Sequence, residues 1–362
     1  MAVLAVGGEA DTFTLVSGSS FAHESTAGRY EANASRTSML VTAATSEIRL
    51  LFGSSVSTFW AHMYLYQEAL PASNTDFIVF MNAAGTEGEY KVILNTDGSW
   101  TFQKFKSAAW STIGSTTASV AVINNSAGAI DFQVVRHLTA GTFNVFKDGV
   151  SIFTYTASDT DTDSAVGSVK FSGVTTNTRE LNVSQVIIAD ESTVGWKLQT
   201  LYPDANGANT AWTGDYTAVD EAVYSSGDFI ESNTLNQIET YTTSNINGAY
   251  SSYNVKAVAV AARASNDSGS AINDLQMVVR HGSTNYTSAN VGLTKDGNEY
   301  SVQAVWNTNP GTAAAWTQVA HAPSWSCTPR ATARHGRACS WPRPPKSNNK
   351  PCPMCCWPRR WA

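Results

Sequence analysis

The sequence predicts an all-β protein built from two jelly-roll-like β-sandwich domains in tandem, followed by a disordered C-terminal tail. Short runs rich in valine, isoleucine, threonine and aromatic residues are separated at regular intervals by turn residues. Asp-Gly pairs stand between several of these runs, and we find no convincing amphipathic helix over residues 21–191. A chain of 362 residues is too long for one small domain, which favours two.

The clearest single element is a hairpin within residues 131–156. Asp148-Gly149 supplies the two residues that a tight primed turn requires, because both tolerate positive φ. This turn predicts opposite pairs of Lys147 with Val150, Val145 with Ile152 and Phe143 with Thr154. It places Phe146, Phe153 and Tyr155 on the other face. Since both faces carry apolar groups, we expect the hairpin inside a layered sheet structure.

The remaining strand-like runs follow the chain in order, and residues 96–99 give a second Asp-Gly hairpin signal. In the first half the predicted strands lie at 49–52, 59–66, 77–81, 90–95, 100–105, 130–136, 168–171 and 181–188. In the second half they lie at 255–263, 275–281 and 300–306. Many short strands with evenly spaced turn signals are typical of a sandwich or jelly roll.

The domain organisation follows from shifts in composition along the chain. We predict an N-terminal arm or peripheral strand over 1–20, a β-sandwich over 21–191, a linker over 192–214, a second β-sandwich over 215–320 and a tail over 321–362. The linker is rich in turn residues and is bracketed by Trp196 and Trp212.

The run from Phe143 to Tyr155, a strand, an Asp-Gly turn and a second strand, resembles a hairpin of the concanavalin A-like, laminin G-like jelly rolls. The strand at 181–189 with the following Asp190-Glu191 resembles the closing strand of that family. The resemblance covers about residues 21–191. It implies a sandwich that lectins, hydrolases, adhesion modules and virion proteins share, so it implies no single activity.

Residues 196–316 are similar to C-terminal regions of tailed-phage structural proteins. The similarity is carried by Trp-Lys-Leu-Gln-Thr-Leu-Tyr-Pro at 196–203 and Asn-Gly-Ala-Asn-Thr-Ala-Trp-Thr-Gly at 206–214. What it implies is a virion component, as capsid decoration, fibre or tail-associated module, with other virion proteins as partners and homo-oligomers as an alternative.

Charge and hydropathy exclude some partners. The chain carries 29 acidic and 23 basic side chains, and eight of the basic ones lie between residues 330 and 360. The acidic body disfavours contact with a nucleic-acid backbone, and no apolar run reaches the length of a membrane span. We find no secretory leader, so we expect no membrane partner and a virion location reached by assembly or lysis.

The tail differs in composition from everything before it. All five cysteines lie after residue 320, acids are absent, and proline recurs every few positions. This composition is typical of a shifted reading frame in GC-rich DNA, and the alternatives are a genuine basic tail or a zinc site around Cys352 and Cys355. Either of the first two predicts disorder without strand pairing.

Catalytic and metal-binding patterns are weak. Glycosidases on this fold use a Glu-x-Asp-x-(x)-Glu strand, which is absent here, and this favours a protein that is not an enzyme. Asp159, Asp161 and Asp163 begin like a calcium loop, but Ser164 and Lys170 stand where glycine and glutamate belong. These three residues are therefore a candidate calcium site, with a solvated acidic loop as the alternative.

Aromatic side chains are the remaining binding candidates. Trp60 and Tyr64 share a strand face by their period of two, and Trp100 lies near a turn, as does Trp110. Exposed rings on a sheet are how sugar-binding sandwiches stack pyranose faces, although such residues also fill cores. The sequence thus predicts a non-enzymatic phage virion protein that contacts host glycans, with a glycan-active enzyme or free lectin as the alternative.

Overall fold

A computed structural model describes most of the chain. The described residues are 2–8, 12–17, 22–31, 33–34, 38–41, 47–117, 125–137, 140–157, 165–173, 181–222, 225, 227–266, 272–317, 325–331 and 355–361. The chain divides into two units, with the division between Leu198 and Gln199, and residues 10–12 belong to the second unit. Within the described residues the structure is all-β, with antiparallel sheets and two single-turn 3-10 helices, Tyr216–Ala218 and Gly248–Tyr250.

The first unit contains fifteen strands in two antiparallel sheets. They are β1 (Val3–Gly7), β2 (Thr14–Ser17), β3 (Ala22–Glu24), β4 (Ser38–Val41), β5 (Glu47–Val56), β6 (Thr58–Gln67), β7 (Thr75–Asn82), β8 (Gly88–Leu94), β9 (Trp100–Lys106), β10 (Ala109–Ser115), β11 (Ser126–Val135), β12 (Gly141–Lys147), β13 (Val150–Ala157), β14 (Val166–Ser172) and β15 (Leu181–Ala189). An eight-stranded sheet has the order β13-β12-β11-β6-β15-β4-β3, with β1 paired to β15. A seven-stranded sheet has the order β10-β9-β8-β7-β14-β5-β2.

Aromatic side chains from both sheets form the core between them. Phe80 of the seven-stranded sheet meets Phe132 of the eight-stranded sheet with ring centroids 5.4 Å apart, and Tyr90 stacks on Phe143 at 5.1 Å. Tilted and edge-to-face contacts of this kind stabilise a core beyond the area they bury. The first unit is therefore a sandwich whose inner faces are apolar, as the alternation in its strands predicts.

The Asp148-Gly149 turn is confirmed, but the register beyond it is shifted. Both turn residues have positive φ, 49° and 81°, and Lys147 lies opposite Val150. A β-bulge at Ile152 then moves the pairing by one residue, so Val145 lies opposite Phe153, Asn144 opposite Thr154 and Phe143 opposite Tyr155. The predicted pairs of Val145 with Ile152 and Phe143 with Thr154 are wrong, because a bulge leaves one extra residue on one strand. As a result Phe153 turns inward and packs on Phe102, with ring centroids 4.3 Å apart.

An ion pair ties the two sheets together at one end. The guanidinium of Arg136, directly after β11, donates to the carboxylate of Glu89 on β8. The Glu89 side chain is 0% exposed and that of Arg136 is 6% exposed. A charge buried to this degree requires a partner, so each of the two groups holds the other in place.

The second unit is also a layered β structure. Its strands are β16 (Leu198–Thr200), β17 (Pro203–Thr210), β18 (Glu239–Thr243), β19 (Val258–Ser265), β20 (Ile272–His281), β21 (Thr284–Thr287), β22 (Val291–Gly292), β23 (Glu299–Trp306), β24 (Trp325–Ala331) and β25 (Cys355–Trp361). They form a four-stranded sheet, β16-β25-β19-β23, and a six-stranded one, β17-β18-β24-β20-β21, with β22 beside β20. Buried apolar residues of β19, β18 and β20 make one core, including Val260, Tyr241 and Met277.

Glu239 is a buried carboxyl group in this second core. It is 0% exposed, and its Oε2 accepts from the backbone N–H of Trp212 at 3.0 Å. Its Oε1 has no hydrogen-bond partner among the described residues. The pKa of Glu239 is raised to about 7, chiefly by burial and also by the charge of Asp215, while the bonds from the Trp212 and Ala211 amides act in the opposite direction. The carboxyl group therefore changes its charge near neutral pH.

The segments predicted as arm and linker contain strands. β1, within residues 1–20, pairs with β15 from Val3 opposite Ala189 to Gly7 opposite Val186. β16 and β17 lie within residues 192–214. The turn-rich sequence of β17 still pairs with β18, with two register irregularities where the alternation breaks.

Two segments of the tail are paired as strands. β24 lies between β18 and β20, and β25 pairs with β19. This pairing differs from the expectation that no residue beyond about 319 forms a strand. Each segment contains one proline, Pro329 or Pro358, which offers only its carbonyl, so the neighbouring residues provide the donors. Residues 318–324, 332–354 and 362, on which the prediction of disorder also falls, lie outside the described residues.

Candidate carbohydrate-binding face

The outer face of the eight-stranded sheet carries two of the three predicted aromatic residues. Along β6 the alternation is regular: Phe59, Ala61, Met63 and Leu65 are fully buried in the core. Trp60, His62, Tyr64 and Tyr66 therefore point to the outer face. Trp60 and Tyr64 are partly exposed, as a stacking role requires.

Trp100 does not belong to this face. It is 0% exposed, and its ring lies edge-on to Phe77 with centroids 5.0 Å apart. The prediction of a sugar-binding role for Trp100 is corrected by this burial, because a ring without an exposed face cannot stack on a sugar. Trp100 begins β9 on the side that meets the other sheet, and its place near a turn does not expose it.

Trp60 is supported from the next strands of the sheet. Its ring stacks on Phe146 of β12, with centroids 5.6 Å apart and an angle of 27° between the planes. Gln133, directly opposite Trp60 on β11, accepts at its Oε1 from the Asn144 amide at 2.9 Å. Trp60 thus lies beside a pair of carboxamides, which are groups that donate to and accept from sugar hydroxyls.

A buried polar cluster lies on this face between Trp60 and Tyr64. His62 Nδ1 is 2.9 Å from Asp131 Oδ1, and both side chains are 1% exposed. Because Asp131 presents a carboxylate oxygen, Nδ1 is the nitrogen that donates. Thr193 donates to the same Oδ1 at 2.7 Å. These residues are too far apart in the sequence to be grouped by a pattern, since the two contacts join positions that are 69 and 62 residues apart along the chain.

This cluster is structural in character. In a catalytic triad the hydroxyl group bonds to the imidazole, whereas the Thr193 hydroxyl donates to the carboxylate. His62 Nε2 is buried and has no hydrogen-bond partner among the described residues. The cluster therefore fixes one segment to the sheet through the bond from Thr193 to Asp131.

That segment, Asp190–Lys197, is called the covering segment here. Thr193 reaches Asp131 on β11, and a Cβ placed on Gly149 would lie 3.5 Å from Val194. The covering segment consequently crosses the outer face at the level of His62. Trp60 and Tyr64 lie two residues to either side of the buried His62 along β6, so the pair predicted from the sequence shares a face with a buried residue between the two rings.

Tyr64 is surrounded by polar groups on its side of the covering segment. Glu31 Oε2 accepts from Lys197 Nζ at 2.6 Å and from Gln185 Nε2 at 3.0 Å. Burial raises the pKa of Tyr64 above its usual value, and the charges of Glu31 and Asp148 raise it further. The phenol therefore stays protonated and has an O–H group that can donate a hydrogen bond.

An irregularity in β15 creates this polar arrangement. Gln185 has φ of 52° and lies in a bulge, where the pairing with β6 skips from Ser184 to Ile187. Its Oε1 accepts from Leu198 N at 3.2 Å while its Nε2 donates to Glu31. Strain in a non-glycine residue is stored where the surroundings hold it, and bulges occur often next to binding sites. The sequence gives no signal for this bulge.

Tyr66 extends the face toward its far end. Its hydroxyl group donates to Asn125 Oδ1, and the Arg29 guanidinium lies 5.2 Å from its ring centroid. Arg29 also pairs with Glu68 at 3.2 Å.

Tyr64 has the small residues Ala129 and Ser184 directly opposite on the two neighbouring strands, so its ring is larger than the side chains beside it on the sheet surface.

The calcium candidates cannot be placed in this way. Asp159, Asp161 and Asp163 lie outside the described residues. In the part of the chain that the structure describes, no three His, Cys, Asp or Glu side chains gather as metal ligands.

No helix among the described residues is long and apolar enough to span a membrane.

No protein-family model matches the chain, and no curated protein matches it either. Solved structures do. Domain 4 of AbnA, a GH43 extracellular arabinanase from Geobacillus stearothermophilus in complex with arabinotriose, is 16% identical, with 52% of this chain and 91% of that one covered and a TM-score of 0.35. The carbohydrate-binding module CBM66 from Bacillus subtilis is 13% identical, with 49% and 95% covered and a TM-score of 0.33. The binding domain of Paraclostridial Mosquitocidal Protein 1 is 13% identical, with 66% and 63% covered and a TM-score of 0.39.

Proposed function

We propose that the first unit is a non-catalytic carbohydrate-binding module whose ligand docks around Tyr64 on the outer face of the eight-stranded sheet. The observation that carries this proposal is the partly exposed Tyr64 ring near the Glu31 carboxylate, which Gln185 and Lys197 hold in place. An aromatic face with a few convergent polar groups is how proteins hold a pyranose ring, since the sugar offers C–H groups on one side and hydroxyls around its rim.

The polar groups around Tyr64 can both donate hydrogen bonds to sugar hydroxyls and accept hydrogen bonds from them. Glu31 accepts hydrogen bonds, Lys197 donates them, and the Tyr64 hydroxyl group does both. Glu31 already accepts from Lys197 at 2.6 Å and from Gln185 at 3.0 Å, so these side chains are held in place before the ligand arrives. Little side-chain freedom is lost on binding, which is the advantage of a preorganised site.

Replacing Tyr64 with alanine is expected to weaken glycan binding by about tenfold or more. Loss of an aromatic stacking contact costs about 1 kcal/mol, and the loss of the phenol hydrogen bond adds to it. Titration calorimetry on hits from a glycan array measures the change. Tyr286→Ala, on β21 of the second unit, is the matched control and should bind as the unaltered protein does. Equal affinity of the Tyr64 variant would remove this site.

The non-catalytic part of the proposal rests on the chemistry of the face. Asp131 is buried and engaged by His62 and Thr193, and Glu31 is engaged by Lys197 and Gln185. A retaining or inverting hydrolase needs one free carboxylic acid and one free carboxylate on either side of the scissile bond. Product analysis of oligosaccharides incubated with the protein tests this point. Any hydrolysis would support the alternative, a glycan-active enzyme.

The finer proposal is that the chain is a virion structural protein of a tailed phage that contacts a host surface glycan. It rests on the sequence of residues 196–316, which resembles C-terminal regions of such proteins. Mass spectrometry of purified virions is the test. Its presence in stoichiometric amounts supports a virion role, and a protein found free in the lysate and absent from particles contradicts it in favour of a free lectin.

A further inference from the structure

Trp110 lies on the outer face of the other, seven-stranded sheet. It belongs to β10, opposite Phe105 of β9, and its side chain reaches across β9 to β8. A Cβ placed on Gly88 would come within 2.8 Å of indole Cζ2 and 3.1 Å of Val79. Because Gly88 has no side chain, there is room for the indole to pack against the backbone of the sheet at this position.

Two further contacts fix the orientation of this ring. Phe105 meets it edge-on with centroids 5.3 Å apart. Lys91 Nζ lies 4.6 Å from the ring centroid, within the range of a cation–π contact. Trp110 is still partly exposed, so the ring is held by its neighbours without being enclosed by them.

Polar groups line the ring on the same face. Lys91 Nζ bonds to Asp76 Oδ2 at 2.9 Å, and the Asp76 side chain is 48% exposed. In the row beside it, Gln103 Nε2 donates to Thr112 Oγ1 at 3.1 Å. Lys91, Gln103 and Thr112 are cross-strand neighbours in register, so these groups form one line across three strands.

We infer that this surface, Asp76, Lys91, Gln103, Trp110 and Thr112, is a second carbohydrate-binding site for neutral glycans. An apolar partner would remove the Lys91–Asp76 pair and the Gln103 carboxamide from water without offering them new hydrogen bonds, which is costly. An anionic ligand gains little, because Asp76 already neutralises Lys91. A neutral pyranose matches both the aromatic ring and the polar groups of this surface. Its C–H face covers the indole, and its hydroxyls reach the row of polar side chains across the three strands.

The site goes beyond the function proposed above and does not depend on it. The two surfaces lie on the outer faces of two different sheets that pack against each other through the core, so one ligand ring cannot touch both. A polymeric glycan surface could then be held at two points by one chain. Two linked weak contacts bind a polymer far more tightly than either does alone.

The test uses the full chain and a panel of neutral trisaccharides of glucose, galactose, mannose, xylose and N-acetylglucosamine. Titration calorimetry counts the ligands bound by the unaltered protein and by Trp110→Ala, Tyr64→Ala and the double variant. We expect two trisaccharides per unaltered chain, one per chain for either single variant, and none for the double variant. The indole N–H signal of Trp110, assigned from Trp110→Phe, should shift on titration of the Tyr64 variant.

The outcomes separate the two sites. Binding that disappears entirely in Tyr64→Ala, or a Trp110 signal that does not move, overturns the second site. Binding lost in Trp110→Ala and kept in Tyr64→Ala supports it and contradicts the Tyr64 site. Gly88→Ala gives a second check, because the added Cβ displaces the indole without removing it and should weaken the same binding event at least fivefold. A panel in which nothing binds to the folded protein overturns both sites.

Discussion

Replacing Arg136 with alanine is expected to destabilise the first unit by about 3–5 kcal/mol, the largest single effect outside its aromatic core. The change leaves the Glu89 carboxylate, with 0% of its side chain exposed, without the guanidinium that compensates its charge. An uncompensated buried charge is costly because the protein interior solvates it poorly. Chemical denaturation at neutral pH, followed by tryptophan fluorescence, measures the change.

The control for Arg136→Ala is the double variant Arg136→Met with Glu89→Leu. Replacing both partners by apolar groups of similar volume removes the charge together with its partner, so stability should return to within about 1 kcal/mol of the unaltered protein. Arg136→Lys should remain destabilised, since a point charge does not reproduce the planar guanidinium fork. If Arg136→Ala unfolds at the same denaturant concentration as the unaltered protein, the ion pair does not join the two sheets.

The stability of the second unit is expected to fall as pH rises from about 4.5 to about 7. The pKa of Glu239 is raised from 4.5 in the unfolded chain to about 7 in the folded one, so the folded state holds the extra proton between these values. Folding stability then decreases with pH across this window and is level above it. The shift corresponds to a change on the order of 3 kcal/mol.

Glu239→Gln should remove this pH dependence and leave stability level across the same window. Glutamine keeps an oxygen that accepts from the Trp212 amide and cannot ionise. Thermal unfolding of both proteins at pH 4.5, 6 and 8 provides the comparison, with Glu299→Gln as a control for a partly exposed glutamate of the same unit. If the stability of Glu239→Gln and that of the unaltered protein change with pH in the same way, Glu239 does not titrate between pH 4.5 and pH 7.

The fold class could be predicted from the sequence because the patterns that indicate it involve residues close together along the chain. Strand alternation and the Asp148-Gly149 turn depend on neighbouring residues alone, and the turn is found as expected. The register beyond the turn was missed, since the bulge at Ile152 is decided by the packing of Phe153 against Phe102 on the other sheet. Periodicity placed Trp60 and Tyr64 on one face correctly for the same local reason.

Properties of the candidate site that depend on distant contacts could not be read from the sequence. Alternation predicts that Trp100 and its sequence neighbours point to opposite faces of β9. Which of these two faces is buried depends on the position of the second sheet, and it is the face of Trp100. The covering segment is held by Thr193 and Asp131, which no pattern links. The position of Trp110 likewise depends on Gly88, two strands away.

The covering segment leads directly into the division between the two units at Leu198 and Gln199. Bonds from Thr193 to Asp131 and from Lys197 to Glu31 join it to the first unit, and directly after it Leu198 N donates to Gln185. A mechanical load applied through the second unit would therefore reach these bonds before it reached the core. The last two involve Glu31 and Gln185, which belong to the site proposed around Tyr64, so tension on the chain would reach that proposed site before the strands of the core.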